Sequence, residues 1–409
     1  MRIAVYHNLH SGGAKRALHE MTRWLATNHK VDVYTLSCAE HDFCDLRPYS
    51  RRHVIVPFNP LPLARRPFGR INQVIRVLDL LRLSTLQRQI ASEIDSAGYD
   101  IVFVHQCQFG QSPRLLNFLK TPSVFYCQEP PRLIYEPRVP RTCAPSSPIQ
   151  RVADRLDPLP RFYRQVLARL DRTNVLTATR ILVNSAYSRE SLYRVYGIFA
   201  QVCYLGVDTQ RFQPLSLPKG DFVVSVGALT PLKGFDFVVR ALAHMDTAHR
   251  PPLVLTSNYT EPRELEYLRD LAARLGVTVT FRGRVTDEEL VQLYNQARLT
   301  VYAPIMEPFG FVPIESMACS TPVIGVAEGG VRESVINEQT GLLVQRDFAA
   351  FAEAIQRLLT DPTLAAEYGR NGRENAVRNW TWEKAVAKLE SLLATCAATP
   401  QTSLQRGQT

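Results

Sequence analysis

Six short apolar runs recur through the first half of the chain: RIAVYH (2–7), VDVYTLS (31–37), HVIVPF (53–58), DIVFVH (100–105), SVFYCQ (123–128) and RILVNS (180–185). They are nearly continuous in Val, Ile and Phe instead of alternating with polar residues. Strands buried on both faces of a parallel sheet read this way. Helical patterns such as GAKRALHEMTRWLATN (13–28) and INQVIRVLDLLRL (71–83) lie between them. Strand and helix in alternation predict a doubly wound α/β sheet. A polar stretch with two prolines follows, LGVDTQRFQPLSLPKGD (205–221), and then the pattern restarts. Its second set is FVVSVGA (222–228), LVLTS (253–257), VTFRGR (279–284), LTVYAP (299–304), PVIGV (322–326) and GLLV (341–344). Between the last of these, TDEELVQLYNQA (286–297) begins with Thr286 and Glu289 in capping-box spacing. The expected fold class is therefore α/β, with two Rossmann-like doubly wound domains facing across a cleft.

A chain of 409 residues is long enough for two domains of ordinary size. With 45% hydrophobic and 21% charged residues it has the composition of a globular protein with a real core. The domains are expected at 1–205 and 221–378, with a linker at 206–220. A helix at 379–397 is expected to cross back to the first domain, before a disordered tail at 398–409. No apolar run reaches membrane-span length, and the start MRIAVYHNLHSGG is too short an apolar run for a secretion signal, so a cytoplasmic chain is the expectation. None of the eight cysteines forms a CxxC pair or a zinc-like cluster, which suits reduced, buried thiols.

The net charge of +10 is uneven: residues 1–200 hold 28 Lys and Arg against 15 Asp and Glu, and the remainder 20 against 23. A basic first half suits a phosphate-bearing ligand or an anionic membrane surface, or is simply an arginine-rich face. No aromatic-and-basic platform or recognition helix points to nucleic acid. Between Pro130 and Pro160 eight prolines alternate with Arg132, Arg138, Arg141, Arg151 and Arg155, predicting an extended basic loop above the cleft. Ile71, Val74, Ile75 and Leu78 share one helical face, read here as core in preference to a membrane contact.

Parallel sheets bind ligands beyond the carboxyl ends of their strands, so the loops there carry the candidate residues. Gly12 and Gly13 follow the first strand and open a helix, where backbone amides can meet an anion or simply turn the chain. Gly227 and Lys233 follow the first strand of the second half. Their spacing is not that of an NTPase phosphate loop, and Lys233 is either a point charge for phosphate or a solvated lysine. The segment EPFGFVPIE places Glu307 on a loop after a strand and Glu315 in the first turn of the next helix. Glu315 has an ordinary explanation in the helix dipole. Glu307 has none, and with the amides of the intervening FGF it can accept hydrogen bonds from vicinal hydroxyls. No third carboxylate or histidine lies near in sequence to complete a metal site.

At these positions the chain resembles the retaining glycosyltransferases of the GT-B fold, glycosyltransferase family 4. EPFGFVPIE resembles the family's E-x7-E motif. SGGA near the start, YCQEPPR (126–132), ILVNSAYSRESLYRVYG (181–197), YLGVDTQRF (204–212), SVGALTPLKGFDFVVRAL (225–242), EGGVRE (328–333) and TGLLV (340–344) follow in the family's order. The resemblance implies transfer of a hexosyl unit, with retention, from a nucleoside diphosphate sugar to an acceptor hydroxyl in polysaccharide, glycolipid or glycoconjugate synthesis. It implies that Glu307 binds donor sugar hydroxyls with Phe309, Gly310, Phe311 and Val312, and that Glu315 holds the nucleotide ribose. Lys233, beside Gly227, would neutralise the leaving diphosphate, and Gly12 and Gly13 would bring the acceptor-side loop to the phosphates. No metal or other cofactor is expected, and the acceptor would be a sugar, a lipid-linked compound or another hydroxyl carrier.

Two departures stand out. The family commonly has an arginine after the glycine of the second domain's first strand, and here that residue is Ala228; Arg282 or Arg284, flanking Gly283, is the expected compensation. Where the family often has a histidine, this chain has Gln128, next to Glu129. Glutamine cannot titrate, so His105 is the candidate substitute at the acceptor side, against a structural role for it. A nucleotide-sugar epimerase or hydrolase on the same fold, or a binding module without catalysis, are the competing readings.

Overall fold

The computed structural model describes residues 1–65, 68–136, 139 and 157–398. Among these residues, thirteen strands form two wholly parallel sheets. The first contains β1 (Arg2–Asn8), β2 (Lys30–Leu36), β3 (Arg52–Val56), β4 (Ile101–Cys107), β5 (Ser123–Tyr126), β6 (Arg180–Val183) and β7 (Gln201–Val202). The second contains β8 (Val223–Val226), β9 (Leu253–Thr256), β10 (Val279–Arg282), β11 (Leu299–Tyr302), β12 (Val323–Val326) and β13 (Gly341–Val344). Their spatial orders are 3-2-1-4-5-6-7 and 10-9-8-11-12-13.

Both orders reverse direction next to their first strand, between β1 and β4 and between β8 and β11. At such a switch point the flanking loops diverge and leave a crevice beyond the strand ends. The loops that leave β1, β4, β8 and β11 are those carrying Gly12–Gly13, Gln106–Gln111, Gly227–Lys233 and Glu307–Gly310. The two halves are Rossmann-like, and their crevices face each other across the cleft.

Two cores lie on opposite faces of the first sheet. One is filled by residues such as Tyr6, Phe125 and Ile94 and the other by Leu18, Phe103 and Tyr126. The second of these runs on into the other domain through Phe309, Ile314 and Trp380. Helix Trp382–Ala397 packs against helix Gly13–Asn28 and strands β4 and β5. The linker is tied to the start of this helix, since Val207 N–H donates to the Trp380 carbonyl at 2.7 Å. Gly206 packs so closely on Trp382 that a side chain would collide with its backbone.

Two expectations are corrected. The segment Pro130–Pro160 is helical at both ends of its described part, although Glu136 is extended. Arg132–Tyr135 makes a helical turn, and Pro160 lies in the first turn of helix Leu159–Thr177, where a missing N–H costs nothing. Arg138, Arg141, Arg151 and Arg155 lie outside the described residues, as does the tail beyond Ala398.

The stripe on the second helix is not core either: Ile71 and Leu78 are 48% and 46% exposed, and Val74 is also exposed. This helix runs on to Ser96 and buries Asp79, Leu83, Gln87, Ile90 and Ile94 instead. The reason is polar: Asp79 accepts from the Leu61 amide at 3.0 Å, and the Gln87 amide donates to the Tyr6 hydroxyl at 2.7 Å. Those bonds set the rotation of the helix and turn the apolar stripe outward.

Candidate active site

Lys233 and Glu307 form the centre of the cleft. Lys233 Nζ donates to both carboxylate oxygens of Glu307, at 2.7 and 2.8 Å. Gly227, at φ 155°, adopts a backbone conformation that favours glycine and lies against the Lys233 stem, its Cβ position 3.4 Å from the Lys233 Cδ. Burial pushes the Glu307 carboxyl up, but Lys233 and then Arg132 outweigh it and hold the group below the usual carboxylate range. Glu307 is therefore an ionised hydrogen-bond acceptor near neutral pH.

The Glu307 loop is braced from two sides. Gly329 and Gly330 of EGGVRE pack against the backbone of Glu307 and Pro308, where any side chain would collide with it. Gly330 N–H donates to the Glu307 carbonyl at 2.9 Å. From the other domain, Ser185 Oγ donates to the Pro308 carbonyl at 2.5 Å. Arg132 donates to the Ile305 carbonyl at 2.9 Å and also to that of Met306. Arg132 is itself held by Glu129 at 2.6 Å. Glu333, also of EGGVRE, accepts from the amides of Ala186 and Tyr187 at 2.8 and 2.9 Å, a further tie across the cleft.

Glu315 lies one turn deeper than the sequence suggests, at the fifth position of helix Phe311–Ala318, and is 4% exposed. The dipole of the first turn therefore does not account for it. Tyr294 donates to it at 3.0 Å. Burial raises the Glu315 pKa, against the pull of the Arg16 guanidinium. Arg16, from the helix that Gly12 opens, pairs with Asp287 at 2.6 Å, and Arg211 pairs with the same carboxylate at 2.5 Å. Burial opposes the Arg16 charge, and Glu315 and Asp287 restore it.

Among the described residues four helices begin at a glycine without a side-chain cap: Gly13–Asn28 at Gly12, Phe235–Ala243 at Gly234, Phe311–Ala318 at Gly310 and the single turn Val331–Ser334 at Gly330. Of these glycines Gly12 and Gly310 border the cavities of the cleft. Helices starting at Ser185, Thr286, Asp347, Asp361 and Thr381 are all capped by those side chains. First-turn amides left without such a cap can accept an anion.

Two cavities meet here. The larger, about 660 Å³, has Gly12, Arg16, Gly227, Arg284, Asp287 and Glu315 in its walls. The smaller, about 310 Å³, has Lys233, Glu307, Phe309, Gly310, Gln128 and Glu129 in its walls. Gly13 and Phe311 border both. The structure thus gathers most of the candidate residues around one continuous space.

Three candidates stand apart. Val312 borders neither cavity and packs partly on the core. Arg282 is exposed at the end of β10, and Gly283 offers its carbonyl to Thr256 Oγ1 at 3.1 Å. Arg284 is the residue of that pair that reaches the larger cavity, stacked over Phe43 at 5.3 Å.

His105 is corrected outright. It is 1% exposed inside β4, stacked on Tyr126 at 5.5 Å, and burial lowers its pKa to about 3. It borders none of the cavities described here and is a core residue. The exposed imidazole bordering the smaller cavity belongs to His10. His10, Arg16, Asn184 and Tyr294 were missed in sequence. Arg16 had a detectable signal, lying one helical turn after Gly12 and Gly13; the others had none of comparable strength.

Two family profiles match the chain: "Glycosyltransferase Family 4" over residues 11–211 and "Glycosyl transferases group 1" over residues 207–375. The D-inositol 3-phosphate glycosyltransferase of Acidothermus cellulolyticus is 36% identical over 56% of this chain and 55% of its own. An alpha-maltose-1-phosphate synthase of Mycobacterium tuberculosis is 28% identical over 53% of this chain and 63% of its own. The chain thus spans little more than half the length of the curated relatives it matches. Among solved structures, sucrose-phosphate synthase from Thermosynechococcus elongatus aligns with a TM-score of 0.74 at 23% identity, covering 97% of this chain and 98% of that one. Anabaena HepE in complex with UDP aligns with a TM-score of 0.67 at 17% identity, covering 96% and 99%. With both halves matched and the two-domain fold shared, the chain belongs to the GT-B glycosyltransferases of group 1 and family 4.

Proposed function

We propose that the protein transfers a hexosyl unit from a nucleoside diphosphate sugar to an acceptor hydroxyl, retaining the anomeric configuration. The observation that carries this is the Lys233–Glu307 pair at 2.7 Å, in a cleft bordered by the glycine-started helix ends at Gly12 and Gly310. The diphosphate would lie between Lys233 and the amides that follow Gly12 and Gly310. The nucleotide would occupy the larger cavity, with its ribose on Glu315. When the donor enters, Lys233 exchanges its carboxylate partner for the diphosphate, and Glu307 is released to accept from the sugar hydroxyls.

In the reaction the bond from the anomeric carbon to phosphate breaks and one to the acceptor oxygen forms. The charge that develops is on the leaving diphosphate, and fixed donors aimed at it supply the stabilisation. With His105 in the core and Gln128 unable to titrate, neither supplies a base, and the imidazole beside the smaller cavity is that of His10. Departure on the same face as attack, with the leaving phosphate taking the acceptor's proton, requires no protein base. This route requires no metal ligand set from the protein. Relatives named for sugar transfer and a structural neighbour solved with UDP support a UDP-sugar as the first donor to test.

Among the described residues no helix is long and apolar enough to cross a membrane. The outward-facing Ile71, Val74, Leu78 and Leu81, on a basic domain, support a peripheral contact with an anionic membrane surface. Co-sedimentation with anionic vesicles at low salt tests that part; no binding there refutes it. For the reaction, nucleoside diphosphate release is measured with and without acceptor for the wild type and Glu307→Gln. Release that needs acceptor and disappears in the variant is expected. Acceptor-independent release would favour a hydrolase.

A further inference from the structure

A third cavity, of about 520 Å³, opens from the acceptor side of the cleft. Gln108, Gln111 and Glu129 border both it and the cavity holding Lys233 and Glu307, so the two adjoin. Its volume is that of a small-molecule site. Its walls change character away from the shared residues, to Leu61, Leu63, Leu80, Phe109, Tyr163 and Leu167.

The two carboxylates in those walls already have partners, and Arg76 is exposed to solvent. Asp79 accepts from Arg82 at 2.8 Å and from the Leu61 amide at 3.0 Å. Glu129 holds Arg132 at 2.6 Å, and the Arg76 guanidinium lies over the Tyr163 ring at 6.0 Å. Gln108 is bonded to Asn8 and Cys38 at 3.1 and 2.9 Å. Hydroxyls buried against the leucines and Phe109 would lose hydration without gaining partners, which is unfavourable for each of them. A hydrocarbon or aromatic group would lose only water contact.

Resting on the glycosyltransferase reading, we propose that this cavity receives the apolar body of the acceptor. The acceptor is then amphipathic: its hydroxyl-bearing end reaches the Glu129–Gln111 border, and an alkyl or aryl group fills the pocket behind.

The test is calorimetric titration of the full chain, saturated with UDP, with methyl, n-octyl and phenyl glucosides below any micelle concentration. The octyl or phenyl compound is expected to bind at least tenfold more tightly than the methyl compound, with a negative heat-capacity change. Leu80→Arg and Phe109→Ser, both half-buried positions, are each expected to abolish that gain and leave UDP affinity unchanged. A stronger octyl gain identifies a lipid-borne acceptor, and a stronger phenyl gain an aromatic one. Equal binding of all three glucosides, or a gain that survives both variants, overturns the proposal. Failure to bind any nucleoside diphosphate would instead count against the glycosyltransferase reading itself.

Discussion

Replacing Lys233 by alanine should affect catalysis and stability in separable ways. The pair it breaks has two short bonds, 2.7 and 2.8 Å, with side chains 25% and 22% exposed. Exposed ion pairs contribute about 0–1 kcal/mol and hydrogen bonds to charged groups about 1.5–3 kcal/mol. Partial screening places this pair near ~1–2 kcal/mol, a fall in Tm of roughly 2–6 °C.

The pH dependence identifies the source of that loss. Glu307 is depressed below its ordinary 4.5 in the folded protein, chiefly by Lys233 acting against burial. A depressed carboxylate contributes stability that is fully present above its unfolded pKa and lost as pH falls through the folded value. The Tm difference between wild type and Lys233→Ala should therefore be full at neutral pH and shrink below about 4.5.

Catalysis should suffer more than folding. Loss of a fixed donor to developing charge costs about 10²–10³ in kcat, or about 2.7–4 kcal/mol. Differential scanning fluorimetry across pH and steady-state transfer rates supply the two readouts. An unchanged kcat, or a Tm gap of equal size at pH 4 and pH 7, would refute the assignment of Lys233 to both tasks.

Three further outcomes follow from individual contacts. Gly310 has φ 91° and faces the Tyr302 hydroxyl, so Gly310→Ala should destabilise by about 1–3 kcal/mol, read by thermal melting. Tyr294→Phe removes the hydroxyl donor from buried Glu315 and should cost about 1–3 kcal/mol of stability while weakening nucleotide binding, read by melting and by UDP titration. Arg132→Met frees the Ile305 and Met306 carbonyls from the first domain; kcat/KM for the acceptor should fall about tenfold or more with UDP affinity retained, a separation seen by comparing kinetics with titration. Transfer should persist in excess EDTA, and its loss and recovery on adding a divalent metal would contradict the proposed metal-free route.

The two parallel sheets were legible in the sequence because continuous Val and Ile runs admit few structures besides a parallel sheet; the order of the strands within them was not. Glycines at strand ends then marked the ligand loops, since a backbone must approach something closely there. Gly12, Gly13 and Gly227 were singled out on such grounds, Glu307 as a carboxylate on a loop after a strand, and Glu315 only through the family resemblance. His105 was misplaced because a strand's alternation puts neighbouring residues on opposite sides, and no local pattern says which side faces ligand. The stripe at Ile71, Val74 and Leu78 was misjudged for a related reason: distant polar bonds at Asp79 and Gln87 rotate that helix.

By itself, then, the sequence determined two α/β halves and the loops in which their chemistry lies, because periodicity and glycine placement are local properties. Only the tertiary structure decided that Lys233 meets Glu307 across 74 positions of chain, that Arg132 spans the cleft, and that a pocket with apolar walls adjoins the cavity holding that pair. Contacts of that kind depend on how the two sheets and their helices pack, and local sequence carries no record of that packing.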